Sequence, residues 1–124
     1  MLGGGYIHDN AALRTLEGLN SLTSVGGNLD ISYNAALTTL EGLNSLTSVG
    51  RVLEISDNAA LTTLEGLNSL TSIGDRLDIY KHDNLTDFCA IKTLFDNGFS
   101  GGYTAVFNIY NPSKQDILDG KCSQ

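Results

Sequence analysis

Seventeen residues, Asn34 to Gly50, read NAALTTLEGLNSLTSVG, and nearly the same run stands at Asn10–Gly26 and Asn58–Gly74. Asn10, Asn34 and Asn58 are spaced by 24, as are Gly26, Gly50 and Gly74. A fixed period in this range implies supersecondary units stacked so that each buries its neighbour's apolar face. Between the copies lie GNLDISY (Gly27–Tyr33) and RVLEISD (Arg51–Asp57), and DRLDIYK (Asp75–Lys81) follows the last.

The two segments of each unit carry different rhythms. Leu29-Asp30-Ile31, Leu53-Glu54-Ile55 and Leu77-Asp78-Ile79 alternate apolar, polar, apolar. Alternation sends Leu and Ile to one face of a strand and the acid to the other. One strand per unit, always in the same direction, predicts a parallel sheet. In the longer segments, Leu37, Leu40, Leu43, Leu46 and Val49 fall at every third position, as do Leu61, Leu64, Leu67, Leu70 and Ile73. That spacing suits three-residue turns or short 3₁₀ pieces, and Gly42 and Gly66 oppose a long helix. Asn34 and Asn58 close each strand, where a side-chain amide can bond to the turns on both sides.

Residues 1–9 resemble the tail of a unit whose front is missing, since Tyr6-Ile7-His8-Asp9 aligns with Asp30-Ile31-Ser32-Tyr33. This is the expectation for a piece of a longer protein. After Tyr80 the period decays, and His82 takes the Asn position. Phe88, Ile91, Leu94 and Phe95 predict a helix capped by Thr86 or Asp87 and ended by Gly98. Tyr103–Tyr110 reads as a fifth strand with Ala105, Phe107 and Ile109 on one side. Asn111 and Pro112 predict the cap and first position of a last helix ending near Gly120. The division expected is repeats over 1–82 and a C-terminal cap of the same domain over 83–124. Cys89 and Cys122 both lie in the cap. A disulfide between them fits this placement and points to an oxidising compartment. The alternative is a pair of buried free thiols in a reducing one.

The unit LxIxxNxxLxxLxGLxxLxxVGG resembles a leucine-rich repeat, and more narrowly the receptor-L-domain-like repeats of bacterial surface and secreted proteins. Leu29–Asn34 and Leu53–Asn58 match the strand signature LxLxxN. LTDFCAIKTL from Leu85 and NIYNPSKQDILDGKCS from Asn108 resemble the cap that follows such repeats. The resemblance implies a right-handed α/β solenoid with a parallel sheet of about four to five strands on its concave face, an irregular or 3₁₀ convex arc and a helical, disulfide-containing cap. It implies binding of a protein or glycan by the concave face, an extracellular or cell-surface location, and no catalytic residue.

Across the three long copies, fifteen of seventeen positions are identical, while the outward strand positions vary. Asn28, Val52 and Arg76 form one varying column; His8, Ser32, Ser56 and Tyr80 a second; Asp9, Tyr33, Asp57 and Lys81 a third. Asp30, Glu54 and Asp78 form an acidic column behind Tyr6. The candidate binding set is therefore Tyr6, His8, Asn28, Asp30, Ser32, Tyr33, Val52, Glu54, Ser56, Asp57, Arg76, Asp78, Tyr80 and Lys81, with Asn108 and Tyr110 from the last strand.

Charge narrows the partner. Seven Lys and Arg against fourteen Asp and Glu leave a net charge of −7, which cannot supply a basic footprint for nucleic acid. No apolar run is long enough to span a bilayer. His8 and His82 are the two histidines, in neither metal nor triad spacing, so no cofactor, metal or enzyme activity is expected. Two other readings remain. A structural spacer or self-assembly unit would use the open first unit, and a homodimer through residues 1–25 is expected unless Met1, Tyr6 and Ile7 fold over that end. An ice-binding solenoid would use the threonine columns Thr15/Thr39/Thr63 and Thr23/Thr47/Thr71.

Overall fold

In a computed structural model, which describes residues 3–124, the chain is a mixed α/β protein with few helices. The strands are β1 Gly5–His8, β2 Ser24–Val25, β3 Leu29–Ser32, β4 Ser48–Val49, β5 Val52–Ser56, β6 Ser72–Ile73, β7 Arg76–His82 and β8 Gly102–Asn108. The helices are α1 Lys92–Asp96 and α2 Lys114–Leu118, with 3₁₀ turns at Glu17–Leu19 and Cys89–Ile91. The main sheet is parallel, in the order β1-β3-β5-β7-β8. Its register follows the 24-residue period: Asp30 pairs with Glu54 and Glu54 with Asp78. A second, three-stranded ladder, β2-β4-β6, pairs Val25 with Val49 and Val49 with Ile73. The strand alternation did not extend to these two-residue pieces, so the second ladder is an addition to the sequence reading.

The inward residues behave as the pattern requires. Leu29, Ile31, Leu53, Ile55, Leu77 and Ile79 are buried, and so are the every-third-residue leucines from Leu37 to Leu46 and from Leu61 to Leu70. Each such side chain contributes about 1.5–3 kcal/mol of burial. The leucine runs are chains of three-residue turns. The Leu43 N–H donates to the Leu40 carbonyl (3.1 Å) and the Leu46 N–H to the Leu43 carbonyl (2.9 Å), and Leu67 and Leu70 repeat this.

The asparagines form a ladder through the core. Asn34 Nδ2 donates to the Ile7 carbonyl (2.7 Å), and Asn58 Oδ1 accepts from both the backbone N–H and the Nδ2 of Asn34 (3.1 Å each). Asn58 Nδ2 donates to the Ile31 carbonyl. His82 continues the column. Its Nδ1 lies 2.7 Å from Asn108 Oδ1 and its Nε2 lies 3.4 Å from Asn58 Nδ2. Because Asn108 presents an oxygen and Asn58 an N–H, these contacts select the neutral imidazole protonated at Nδ1. Burial pushes the His82 pKa down, with the Asn108 contact opposing.

The fifth strand expected after the last unit does join the sheet, β8 pairing with β7, while three expectations for residues 83–124 are corrected. The expected helix begins as a 3₁₀ turn at Cys89, where the Asp87 carboxylate accepts the Cys89 N–H (2.9 Å), and Phe88, Ile91, Leu94 and Phe95 are buried. The final helix starts two residues late: Ser113 caps it, in a reciprocal box with Asp116, while Asn111 bonds to Asn108. In β8 the alternation fails at Phe107. Phe107 adopts φ +58° and is exposed, as is Ile109, so neither joins Ala105 against the core. That left-handed residue turns Asn108 inward, in register with His82. Cys89 and Cys122 form a disulfide with a Cα–Cα distance of 4.8 Å. The adjoining tail is stitched back: the Phe88 N–H donates to the Cys122 carbonyl (2.7 Å) and the Gln124 N–H to that of Thr86 (3.0 Å).

Candidate functional site

A residue with positive φ stands at the C-terminal end of every strand of the main sheet, just past it at Asp9, Tyr33 and Asp57 and one before its last residue at Lys81 and Phe107, all between 54° and 63°. The left-handed region costs an ordinary L-residue roughly 1–2 kcal/mol, and Asp or Asn tolerates it best. Asp9 and Asp57 therefore fit the backbone. Tyr33 does not, and it is 56% exposed, so core packing does not explain an aromatic there. The same holds for Phe107 at 76%.

The outward face of the sheet carries a shallow depression of ≈ 440 Å³. Asp30 and Glu54, neighbours in register, line it with Ser32 and Ser56. Tyr6, Tyr33 and Tyr80 stand around them, with His8 and Asp9 at one end. The Tyr6 ring meets that of His8 edge-on at 6.0 Å, and His8 Nδ1 lies 2.6 Å from Asp9 Oδ2. A second hollow beside it is lined by Asn28, Val52 and Arg76 together with Tyr6, Asp30 and Glu54.

The electrostatics are lopsided. Burial and then the Asp30 carboxylate push the Glu54 pKa up, with Asp78 adding to this and Tyr80 and Arg76 opposing. Arg76 Nε lies 2.7 Å from Asp78 Oδ2, so Asp78 is compensated. Asp30 is not: its Oδ1 is buried and has no hydrogen-bond partner among the described residues. Tyr80 is raised first by burial and further by Glu54, while Ser56 lowers it. The nearby Asp57 carboxylate is the first cause that raises Tyr33.

Eight of the candidate residues thus meet in one depression and three more in its neighbour. Asp9 joins them; it stood in the third outward column but outside the candidate set. Ser32 and Ser56 are buried, at 4% and 1%, and form the floor rather than the rim. Asp57, Asp78 and Lys81 lie on the same face outside the two hollows; the Lys81 ammonium sits 6.0 Å from the Tyr80 ring centroid. Two assignments are corrected. Asn108 is buried in the asparagine column, donating to the Ile79 carbonyl (3.0 Å), and offers nothing to a ligand. Tyr110 packs edge-on against Phe88, and its hydroxyl donates to the Lys121 carbonyl, so it is engaged with the C-terminal segment and lines neither hollow.

The invariant threonines have a structural role that the sequence left unexplained. The hydroxyls of Thr47 and Thr71 donate to the carbonyls of Thr23 and Thr47 one unit back, at 3.0 and 3.3 Å. Thr39 donates to the Glu65 carbonyl (3.2 Å). These groups tie unit to unit, which accounts for their constancy without a ligand. Among the described residues no cluster of three or more His, Cys, Asp or Glu is placed to hold a metal ion, and no helix is long and apolar enough to cross a membrane. No protein-family model, curated protein or solved structure matches this chain.

Proposed function

We propose that this chain is a leucine-rich-repeat solenoid of the receptor-L-domain-like kind, acting as an extracellular module that binds a protein or glycan through the outward face of its main sheet. The observation that carries the reading is Tyr33, an exposed aromatic held in a left-handed conformation that Asp satisfies in the neighbouring unit. Strain of this sort, kept without a packing return, points to use rather than to folding. The disulfide is compatible with an oxidising, extracellular setting. Probing an array of defined proteins and glycans with the chain, and with a variant carrying Asp30→Ala, Glu54→Ala and Tyr80→Ala, tests it. None of the three contributes to the apolar core, so the variant should fold and lose the array ligand. Retention of that ligand by the folded variant refutes the face assignment.

One observation favours a second reading, self-assembly. Leu13, Leu19 and Leu22 are only partly buried, whereas their counterparts Leu37, Leu43 and Leu46 are sealed. Two copies meeting through residues 1–25 would cover them. Of the shielding residues expected, Met1 lies outside the described residues, Ile7 packs partly buried against the core, and Tyr6 is 72% exposed and does not shield it. Light scattering at rising concentration distinguishes the cases, a strict monomer excluding the pair.

A further inference from the structure

We infer that the depression between Tyr6, Tyr33 and Tyr80 is built for a cationic side chain, so that the partner is a protein segment presenting arginine or lysine rather than a neutral glycan. This rests on the proposed use of the sheet face and names what that face would hold.

Three features converge. First, Asp9, Asp30 and Glu54 bring carboxylates to the depression, and no Lys or Arg lines it. Arg76, in the neighbouring hollow, is already bound to Asp78. The facing charges from every adjoining strand are thus negative or spent, apart from Lys81 at the far side of Tyr80 and His8 against Asp9. Second, Asp30 holds a buried oxygen without a hydrogen-bond partner among the described residues. An uncompensated buried acceptor is costly, and a cation beside it recovers part of that cost. Third, the walls are aromatic. Tyr rings attract guanidinium and ammonium groups through their electron-rich faces, and Tyr33 is held outward at an energetic cost. Carboxylates alone would describe any wet acidic strip. Carboxylates with three tyrosines, one of them strained, describe a cation seat. Arginine suits it better than lysine, because its planar group can stack on a ring while donating to a carboxylate.

The test uses the disulfide-intact chain and two peptides, tetra-arginine and its neutral isostere tetra-citrulline, in calorimetric titrations at low ionic strength. Tetra-arginine should bind and tetra-citrulline should not. Asp30→Asn with Glu54→Gln should weaken tetra-arginine by about tenfold or more, the loss of charge-assisted contacts. Tyr33→Ala should weaken it by about two- to fivefold. A control variant, Glu17→Gln with Glu41→Gln and Glu65→Gln, removes three charges away from the sheet face and should leave the affinity unchanged. Circular dichroism on each variant confirms folding. No binding of tetra-arginine, equal binding of tetra-citrulline, or equal weakening by the control variant overturns the inference, the last by showing diffuse attraction to net charge. If tetra-arginine fails while the array ligand is still lost on mutating Asp30, Glu54 and Tyr80, the face stands and the cation seat falls. If the array ligand is insensitive to those mutations, the face itself is wrong.

Discussion

Glu54→Gln should stabilise the protein while weakening its binding. Glu54 stands between Asp30 and Asp78 in register. Adjacent strands lie about 4.8 Å apart, and like charges directly opposite destabilise by roughly 0.2–1 kcal/mol per pair. Asp78 is compensated by Arg76, so most of the repulsion comes from Asp30. Gln keeps the size and a side-chain carbonyl oxygen while removing the charge. The net gain should be about 0.5–1 kcal/mol, or roughly 2–5 °C in Tm for a domain of this size.

The pH dependence fixes the cause. Burial and Asp30 raise the Glu54 pKa in the folded state. The folded protein therefore binds this proton more tightly than the unfolded chain, and stability falls as pH rises through the window between the two values. Above that window ionised Glu54 is a standing cost; below it the carboxyl is neutral and the cost is gone. Thermal melts should show the variant more stable at neutral pH and the two proteins converging below the ordinary carboxylate range. A variant less stable at neutral pH, or a difference independent of pH, would refute the reasoning.

Gly66→Ala should be among the most damaging single changes, costing about 3 kcal/mol or more by denaturant titration, because Gly66 has φ +117° and a Cβ there would lie 1.9 Å from the Leu40 carbonyl oxygen. Cys89→Ser with Cys122→Ser should lower stability by about 3–4 kcal/mol, the loop-closure entropy of a 33-residue separation, measured in the same way. His82→Asn should flatten the fall in stability as the pH drops below about 6.5. The neutral imidazole is held between Asn58 and Asn108, and burial depresses its pKa below the unfolded value, so stability is full above about pH 6.5 and declines as pH falls through the window beneath it. Melts that keep the wild-type slope would place the titrating group elsewhere.

The parallel sheet was legible because the period multiplies a weak signal. One Leu-Asp-Ile triplet is ambiguous; three in register at 24 residues are not. The asparagine column was legible for the same reason. What escaped lies where the period stops. In β8, alternation put Phe107 on one side with Ala105 and Ile109, yet Phe107-Asn108 repeats the dipeptide logic of Tyr33-Asn34 and Asp57-Asn58, an outward left-handed residue followed by an inward amide. Reading that dipeptide would have moved Asn108 from the binding set to the core. Likewise Ser113-Lys114-Gln115-Asp116 spells a capping box, overshadowed by the preference of Asn-Pro for helix starts. The depression was legible only as columns. Which residues of those columns converge depends on side-chain reach across strands, which a one-dimensional period does not carry.

The constancy of the long segments and the variation of the strands now have separate causes. Leucines, threonines and asparagines are spent within and between units: the leucines in burial, Thr39, Thr47 and Thr71 on neighbouring carbonyls, the amides in the core ladder. A change at any of these affects the unit beside it as well as its own. Among the outward strand positions Asn28 is coupled to the next unit, its Oδ1 accepting the Val52 N–H (3.1 Å), yet the residue in that column still changes, so sequence variation there is not by itself a sign of recognition. The discriminating positions are those where the resident residue opposes the fold. Ser32 and Ser56 are neutral fillers of a floor. Tyr33 in a left-handed turn and Glu54 beside Asp30 each cost stability that Asp or Gln would restore. Two unfavourable choices side by side, both lining one depression, are harder to ascribe to tolerance than any number of freely varying surface residues.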